Sequence, residues 1–186
     1  FDAWDINNYY TEKSWPVDDV QSITVTENGP VRGCIRVERK YLDSTIVQYL
    51  YFYPELYRID IRNEIDWKEK QILLRDYIPV DIHAAEATYE IQYGNVTRPT
   101  HYNTSWDFAR FEVCAHKWID ISENGYGISV LNNCKYGCDI HNGEIGLTML
   151  KSAVYPNPDA DKEHHSFTWS IAPHEGGWRE GNTVAK

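Results

Sequence analysis

From Tyr57 to Trp67 the chain alternates: Ile59, Ile61, Ile65 and Trp67 interleave with Arg58, Asp60, Arg62, Glu64 and Asp66. A period of two puts the apolar set on one face of an extended segment and the charged set on the other, the signature of a half-buried β-strand. The same alternation returns in Ala87, Tyr89, Ile91 and Tyr93, and again in Phe167, Trp169 and Ile171. Shorter strand-like runs occupy residues 21–26, 31–41, 44–53, 71–80, 108–121, 126–132 and 144–151. No segment carries sustained apolar residues at helical spacing with capping signals. Asn28-Gly29, Asn124-Gly125 and Asn142-Gly143 each separate two runs, and Asn-Gly supplies the positive φ values of two-residue hairpins. Pro30 follows the first pair and lengthens that turn. Strands recurring every ~8–12 residues are the pattern of sandwiches and barrels. The expectation is an all-β, antiparallel β-sandwich with little helix.

Two stretches fall outside the pattern. Residues 1–20 are rich in Asp, Asn, Tyr and Trp, and residues 152–165 carry Pro156, Pro158, Asp159, Asp161 and the pair His164-His165. Both are expected as long loops, which in compact domains often carry function. No repeat, low-complexity tract or linker divides the chain, so one domain over residues 1–186 is expected; a domain of this size buries roughly 70% of the surface its unfolded form exposes. The chain starts at Phe1 without an initiator Met and reads as a fragment of a longer, multidomain protein.

A net charge of -10 is spread along the sequence. Such a field repels phosphate backbones and anionic lipid, which argues against nucleic acid or a membrane surface as partner. No window approaches the ~18 consecutive apolar residues of a membrane helix, and no signal-peptide pattern occurs. The four cysteines, Cys34, Cys114, Cys134 and Cys138, are too sparse for a disulfide scaffold and are expected reduced, in a cytoplasmic protein. Aromatic residues make up 14% of the chain, which suits pleated faces and also sugar stacking.

Local chemistry is thin. The seven histidines are scattered apart from His164-His165, whose side chains leave a strand on opposite faces, so no metal site is expected here. Cys134 and Cys138 lack the second pair a structural zinc site needs. No Gly-x-Ser-x-Gly elbow or phosphate-cradling loop occurs, although composition leaves a Ser, His and Asp triad open. Carboxylates are too common for the sequence to select the pair that glycoside hydrolysis needs. Asn95-Val96-Thr97 and Asn103-Thr104-Ser105 fit the N-glycosylation pattern, which matters only in a secreted protein.

The run from Arg98 to Trp118, Arg-Pro-Thr-His-Tyr-Asn-Thr-Ser-Trp-Asp-Phe-Ala-Arg-Phe-Glu-Val-Cys-Ala-His-Lys-Trp, resembles the C-terminal region of family 38 α-mannosidases, most of all the cytosolic and vacuolar branch and its bacterial relatives. Ala3-Trp4-Asp5-Ile6, Gly29-Pro30-Val31-Arg32, Arg36-Val37-Glu38-Arg39, Asn124-Gly125-Tyr126-Gly127, Asn133-Cys134-Lys135-Tyr136-Gly137 and Ser166-Phe167-Thr168-Trp169 match in the same order. The resemblance implies a large supersandwich of the galactose mutarotase type. It also implies a parent enzyme that hydrolyses α-mannosides with retention, using a zinc ion and carboxylates of an upstream catalytic domain. None of those motifs is in this chain, so no catalytic residue is expected in it.

By motif position the resemblance implies a substrate-binding role for Trp4 with Asp5, and for the 159–165 loop with Asp161 and His165, where Glu163 replaces a usual Gly. The bland alternative has Trp4 packing on the sandwich and His165 capping a strand. Two other functions fit the composition: a free-standing carbohydrate-binding module, and a mutarotase-like epimerase, which needs a His and a Glu converging in one cleft.

Overall fold

A computed structural model of the chain describes residues 2–186. Thirteen strands carry most of it: β1 (Asp19–Asn28), β2 (Gly33–Tyr41), β3 (Ser44–Tyr53), β4 (Leu56–Asp66), β5 (Leu74–Pro79), β6 (Glu86–Ile91), β7 (Gly94–Pro99), β8 (Val113–Cys114), β9 (Trp118–Glu123), β10 (Tyr126–Asn132), β11 (Gly137–His141), β12 (Glu144–Leu150) and β13 (His164–His174). Helix among the described residues is one turn, α1 (Ser105–Phe108), and two short 3-10 segments, Asn8–Glu12 and Thr183–Ala185. The fold is an antiparallel, all-β sandwich type built of two sheets.

The chain divides into two compact units: Phe1–Pro54 with Asp60–Leu74 and Met149–Thr168, and Glu55–Ile59 with Arg75–Thr148 and Trp169–Lys186. In the first, neighbouring strands run β1-β2-β3-β4-β13. Val37, Ile46, Ile61, Ile65 and Trp67 are buried there, on the face the alternation of β4 marks as apolar. In the second, one sheet runs β13-β10-β9-β6-β7 and the other β5-β12-β11-β8. Its core joins the two: Tyr89 of β6, 2% exposed, is hydrogen-bonded to the backbone of Ile140 on β11, and Ile119, Ile121, Ile145 and Leu147 are buried around them. Full burial of side chains of this size stabilises by roughly 1.5–3 kcal/mol each.

The turns follow their residues. Asn142 and Gly143 both have positive φ, 52° and 74°, the conformation Asn-Gly favours in a two-residue hairpin. After Asn28 the chain takes four residues, Gly29 to Arg32, to return, as Pro30 requires.

The boundaries differ from the sequence reading in five places. Residues 94–99 and 137–141 are strands that no alternation announces, the first following the turn at Gln92 and Tyr93. The run 108–121 is not one strand: Phe108 closes a helical turn that Thr104 and Asp107 cap reciprocally, and the rest divides into β8 and the start of β9. The loop expected at 1–20 contains the 3-10 segment and the start of β1. The loop expected at 152–165 ends two residues early, since His164 and His165 open β13.

Candidate functional site

The N-terminal segment and the 151–165 segment meet in the first unit through Asp2 and Lys151. The Asp2 carboxylate accepts the backbone N–H groups of Val154 at 3.0 Å and Tyr155 at 3.1 Å, with Gln71 Nε2 at 3.5 Å. These donors, Val154 first, hold its pKa below the usual carboxylate range. Lys151, the residue after β12, donates its ammonium to the Asp5 carbonyl. Between the two anchors Trp4 is 67% exposed, its ring centroid 5.9 Å from that of Tyr155. An open hollow of about 460 Å³ is lined by Asp2, Asp5, Tyr10, Gln71, Leu73 and Lys151 among others. It falls in the size range of small-ligand clefts, roughly 300–1,000 Å³.

Asp161 and His165 do not line that hollow. The Asp161 carboxylate accepts the backbone N–H of Ser152 at 3.0 Å and of Lys151 at 3.3 Å, and so fixes the stem from which the Lys151 side chain leaves. His165 Nε2 lies 2.8 Å from the Asp161 carbonyl. A carbonyl can only accept, so the proton sits on Nε2 and Nδ1 is the acceptor of the neutral ring. His164 turns elsewhere, to Glu64 at 3.0 Å. The left-handed residue of this turn is Asp161 (φ 60°), while Glu163 is not among the residues of positive φ.

Gln71 (φ 55°) and Ser152 (φ 46°) are left-handed as well. Non-glycine residues there are strained, and clustered strain accompanies functional sites. A short ladder holds these: Gln71 N–H to the Ser152 carbonyl at 2.8 Å, and Ser152 Oγ to the Ile72 carbonyl at 3.0 Å.

Two further polar clusters lie in the second unit. Ser129, His174 and Asp120 come together, yet not as a catalytic triad. Ser129 Oγ (3.1 Å) and Asp120 Oδ2 (2.8 Å) both approach the same His174 nitrogen, Nε2, and Ser129 Oγ is itself 2.6 Å from Asp120 Oδ2 and 2.7 Å from Thr183 Oγ1. A nucleophilic triad needs the carboxylate on the opposite ring nitrogen and an open serine; Ser129 is 0% exposed. Glycine is required on both sides of the ring, because a Cβ on Gly127 or Gly181 would lie 2.3 or 2.5 Å from it. In the other cluster Arg75 bonds the Asp139 carboxylate and has Glu112 3.9 Å away, all nearly buried. Burial outweighs the Arg75 charge and keeps the Asp139 carboxyl above its ordinary pKa.

Of the four residues expected to bind substrate, Trp4 and Asp5 stand at the exposed end of this arrangement, and Asp161 and His165 brace the backbone of its other side. Sequence reasoning missed Asp2 and Lys151. The available signals were a carboxylate two residues before Trp4 and a cation directly after an apolar strand.

Residues 1–159 match the family described as Glycosyl hydrolases family 38 C-terminal domain. The chain is 40% identical over 190 residues to Alpha-mannosidase G of Dictyostelium discoideum and 36% identical over 186 residues to Alpha-mannosidase 2C1 of Homo sapiens, covering 99% of this chain in each case. It spans only 17% and 18% of those relatives. An α-mannosidase from Enterococcus faecalis V583 superimposes with a TM-score of 0.75 at 14% identity, over 83% of this chain and 22% of that one. A second Enterococcus faecalis structure, a protein in the glycosyl hydrolase family 38, gives 0.76 at 14% identity over 90% and 24%. These two likenesses concern the fold.

Proposed function

Because this chain belongs to the glycosyl hydrolase family 38 C-terminal domain family, we propose that it is a β-sandwich domain of an α-mannosidase that hydrolyses α-mannosidic linkages with retention. The bond-breaking groups lie in an upstream catalytic domain of the same polypeptide, and the 186 residues act as one domain that walls the sugar site. The observation that carries this reading is the exposed Trp4, pinned on both sides, beside a hollow lined by Lys151 and Asp5. An indole face stacks on the apolar side of a sugar, and ammonium, carboxylate and carbonyl groups hydrogen-bond its hydroxyls. Asp161 and His165 serve by holding the Lys151 stem in place.

The zinc that the resemblance implies belongs to the upstream domain. Among the described residues no three His, Cys, Asp or Glu side chains stand together as a metal site. A cytoplasmic setting suits the four free cysteines. Among the described residues no helix is long and apolar enough to cross a membrane.

The test is an aryl α-mannoside assay. The isolated chain is expected to show no turnover with or without zinc, and the longer polypeptide to turn over; measurable turnover by the chain alone would sink the proposal. Calorimetry with mannose and short α-mannosides distinguishes a free-standing binding module, for which the isolated chain would bind tighter than about millimolar, worth roughly 4 kcal/mol.

A further inference from the structure

The apolar inner face of the first unit runs out of cover at β1. In antiparallel strands, residues paired in register share a face. One such row joins Ile23 to Val37 and Val37 to Gln48, whose side chain bonds Asn63 of β4 at 3.0 Å. Along it exposure rises from 1% at Asn63 and 7% at Val37 to 66% at Ile23, within one strand spacing. The next row, Val25 to Ile35 to Leu50, ends in the same way, with Val25 69% exposed. Val20, 44% exposed, joins this face because a register shift between Val20 and Ser22 keeps it on the side of Ile23.

The strand is open at its edge as well as on its face. It ends the strand order, paired with β2 alone among the described residues. Edge strands of soluble proteins are ordinarily blunted by lysine, proline, an inward-facing charge or a β-bulge, and of these β1 carries register shifts between Val20 and Ser22 and between Val25 and Glu27. From Val20 to Thr26 the sequence is Val-Gln-Ser-Ile-Thr-Val-Thr, with no charge, no proline and no glycine. Seven uncharged residues, five of them of high β propensity, on an open edge form a self-pairing hazard unless something covers them.

We propose that β1 is a docking edge for another segment of the same, longer polypeptide, an apolar stretch that lays side chains over Val20, Ile23 and Val25 and pairs with the free backbone edge. What selects this occupant is length: the chain makes up 17% and 18% of relatives it matches almost end to end, so over four-fifths of such a polypeptide lies outside these residues. The proposal rests on the multidomain reading above, but its test reads stability, not activity.

Two substitutions on adjacent residues of β1 in the longer polypeptide make the comparison. Ile23→Lys places a charge on the apolar face, and Thr24→Lys places it on the opposite face, where Thr24 pairs with Arg36. Ile23→Lys is expected to lower the melting midpoint by about 5 °C or more, as burial of an unpaired ammonium requires, and Thr24→Lys to leave it nearly unchanged. Hydrogen exchange in the same polypeptide is expected to protect the backbone amides of 20–26. Equal shifts for both variants, freely exchanging β1 amides, or a dimer of the longer polypeptide that Ile23→Lys dissolves would each overturn the proposal. An inactive longer polypeptide with the unequal shifts would leave the docking edge standing and defeat the α-mannosidase reading instead.

Discussion

The chain keeps two kinds of polar cluster, and the difference lies in what each leaves open. In the second unit Asp120, Ser129, His174 and Thr183 spend their bonds on one another inside the protein, and Arg75 neutralises Asp139 beside Glu112 with almost no solvent contact. In the first unit Asp2, Lys151 and Asp161 spend theirs on backbone groups and leave Trp4, Asp5 and a hollow facing water. The first kind holds the fold, because its hydroxyl and carboxylate bonds close inside the protein, with His174 Nδ1 left buried and unbonded beside them. The second holds its own backbone so that neighbouring groups stay available. A Ser-His-Asp constellation is therefore the less functional of the two, despite its composition.

Substitutions that separate stability from binding can break this contrast. The largest effect is expected from Arg75→Met, which leaves two carboxylates buried beside an uncharged chain and should cost about 3–5 kcal/mol in urea unfolding. The pH dependence of that loss has a definite sign. Asp139 has its folded pKa raised by burial, so the folded state binds its proton more tightly than the unfolded chain. The variant should regain stability as pH falls toward the ordinary aspartate value and lose it as pH rises; a loss that grows on acidification would contradict the burial argument.

Next is Ser129→Ala, which removes the hydroxyl shared by Asp120, His174 and Thr183 and should cost about 1–3 kcal/mol. A silent Ser129→Ala would mean that the knot is not what ties the C-terminal segment down. Asp161→Ala should cost less, about 1–2 kcal/mol, because the N–H groups of Lys151 and Ser152 can turn partly to water. Its sharper readout is exchange at those two amides, which should speed up while the amides of β9 and β10 do not change.

Smallest in stability is the acid limb of Asp2. Its folded pKa is lowered, so the attachment of the N-terminal segment is fully present above the ordinary aspartate pKa and is lost as pH falls through the lower, folded value. Exchange of the Val154 and Tyr155 amides, followed from neutral to strongly acidic pH, should show protection surviving below the usual carboxylate range. Release at or above pH 4 would mean that the two backbone donors do not grip the carboxylate as described.

The fold was legible in the sequence where alternation is long. The strand at Tyr57–Trp67 appears as β4 within a residue, because a strand with one wet face must repeat every second residue. Residues 94–99 were not legible, since Gly94, Asn95 and Pro99 have no strand preference of their own and are set by pairing to β6. The helical turn at 105–108, which precedes the run 108–121, was missed because its signal is a reciprocal cap, Thr104 with Asp107, rather than a period. The site was half legible: Trp4, Asp5, Asp161 and His165 were drawn from motif positions. The anchors Asp2 and Lys151 were not, because their partners are backbone groups up to 153 residues away, as for Asp2 and Tyr155, and a carboxylate before Trp4 or a cation after a strand does not by itself mark such a contact.

The most direct test of the Trp4 wall is the kinetics of Trp4→Ala in the longer polypeptide with an aryl α-mannoside. With Trp4 exposed, the unfolding free energy should change by no more than about 0.5 kcal/mol, while kcat/KM falls about tenfold, the loss expected when roughly 1.4 kcal/mol of stacking is removed. An unchanged kcat/KM in a folded variant would contradict the account and return Trp4 to the role of an ordinary surface aromatic.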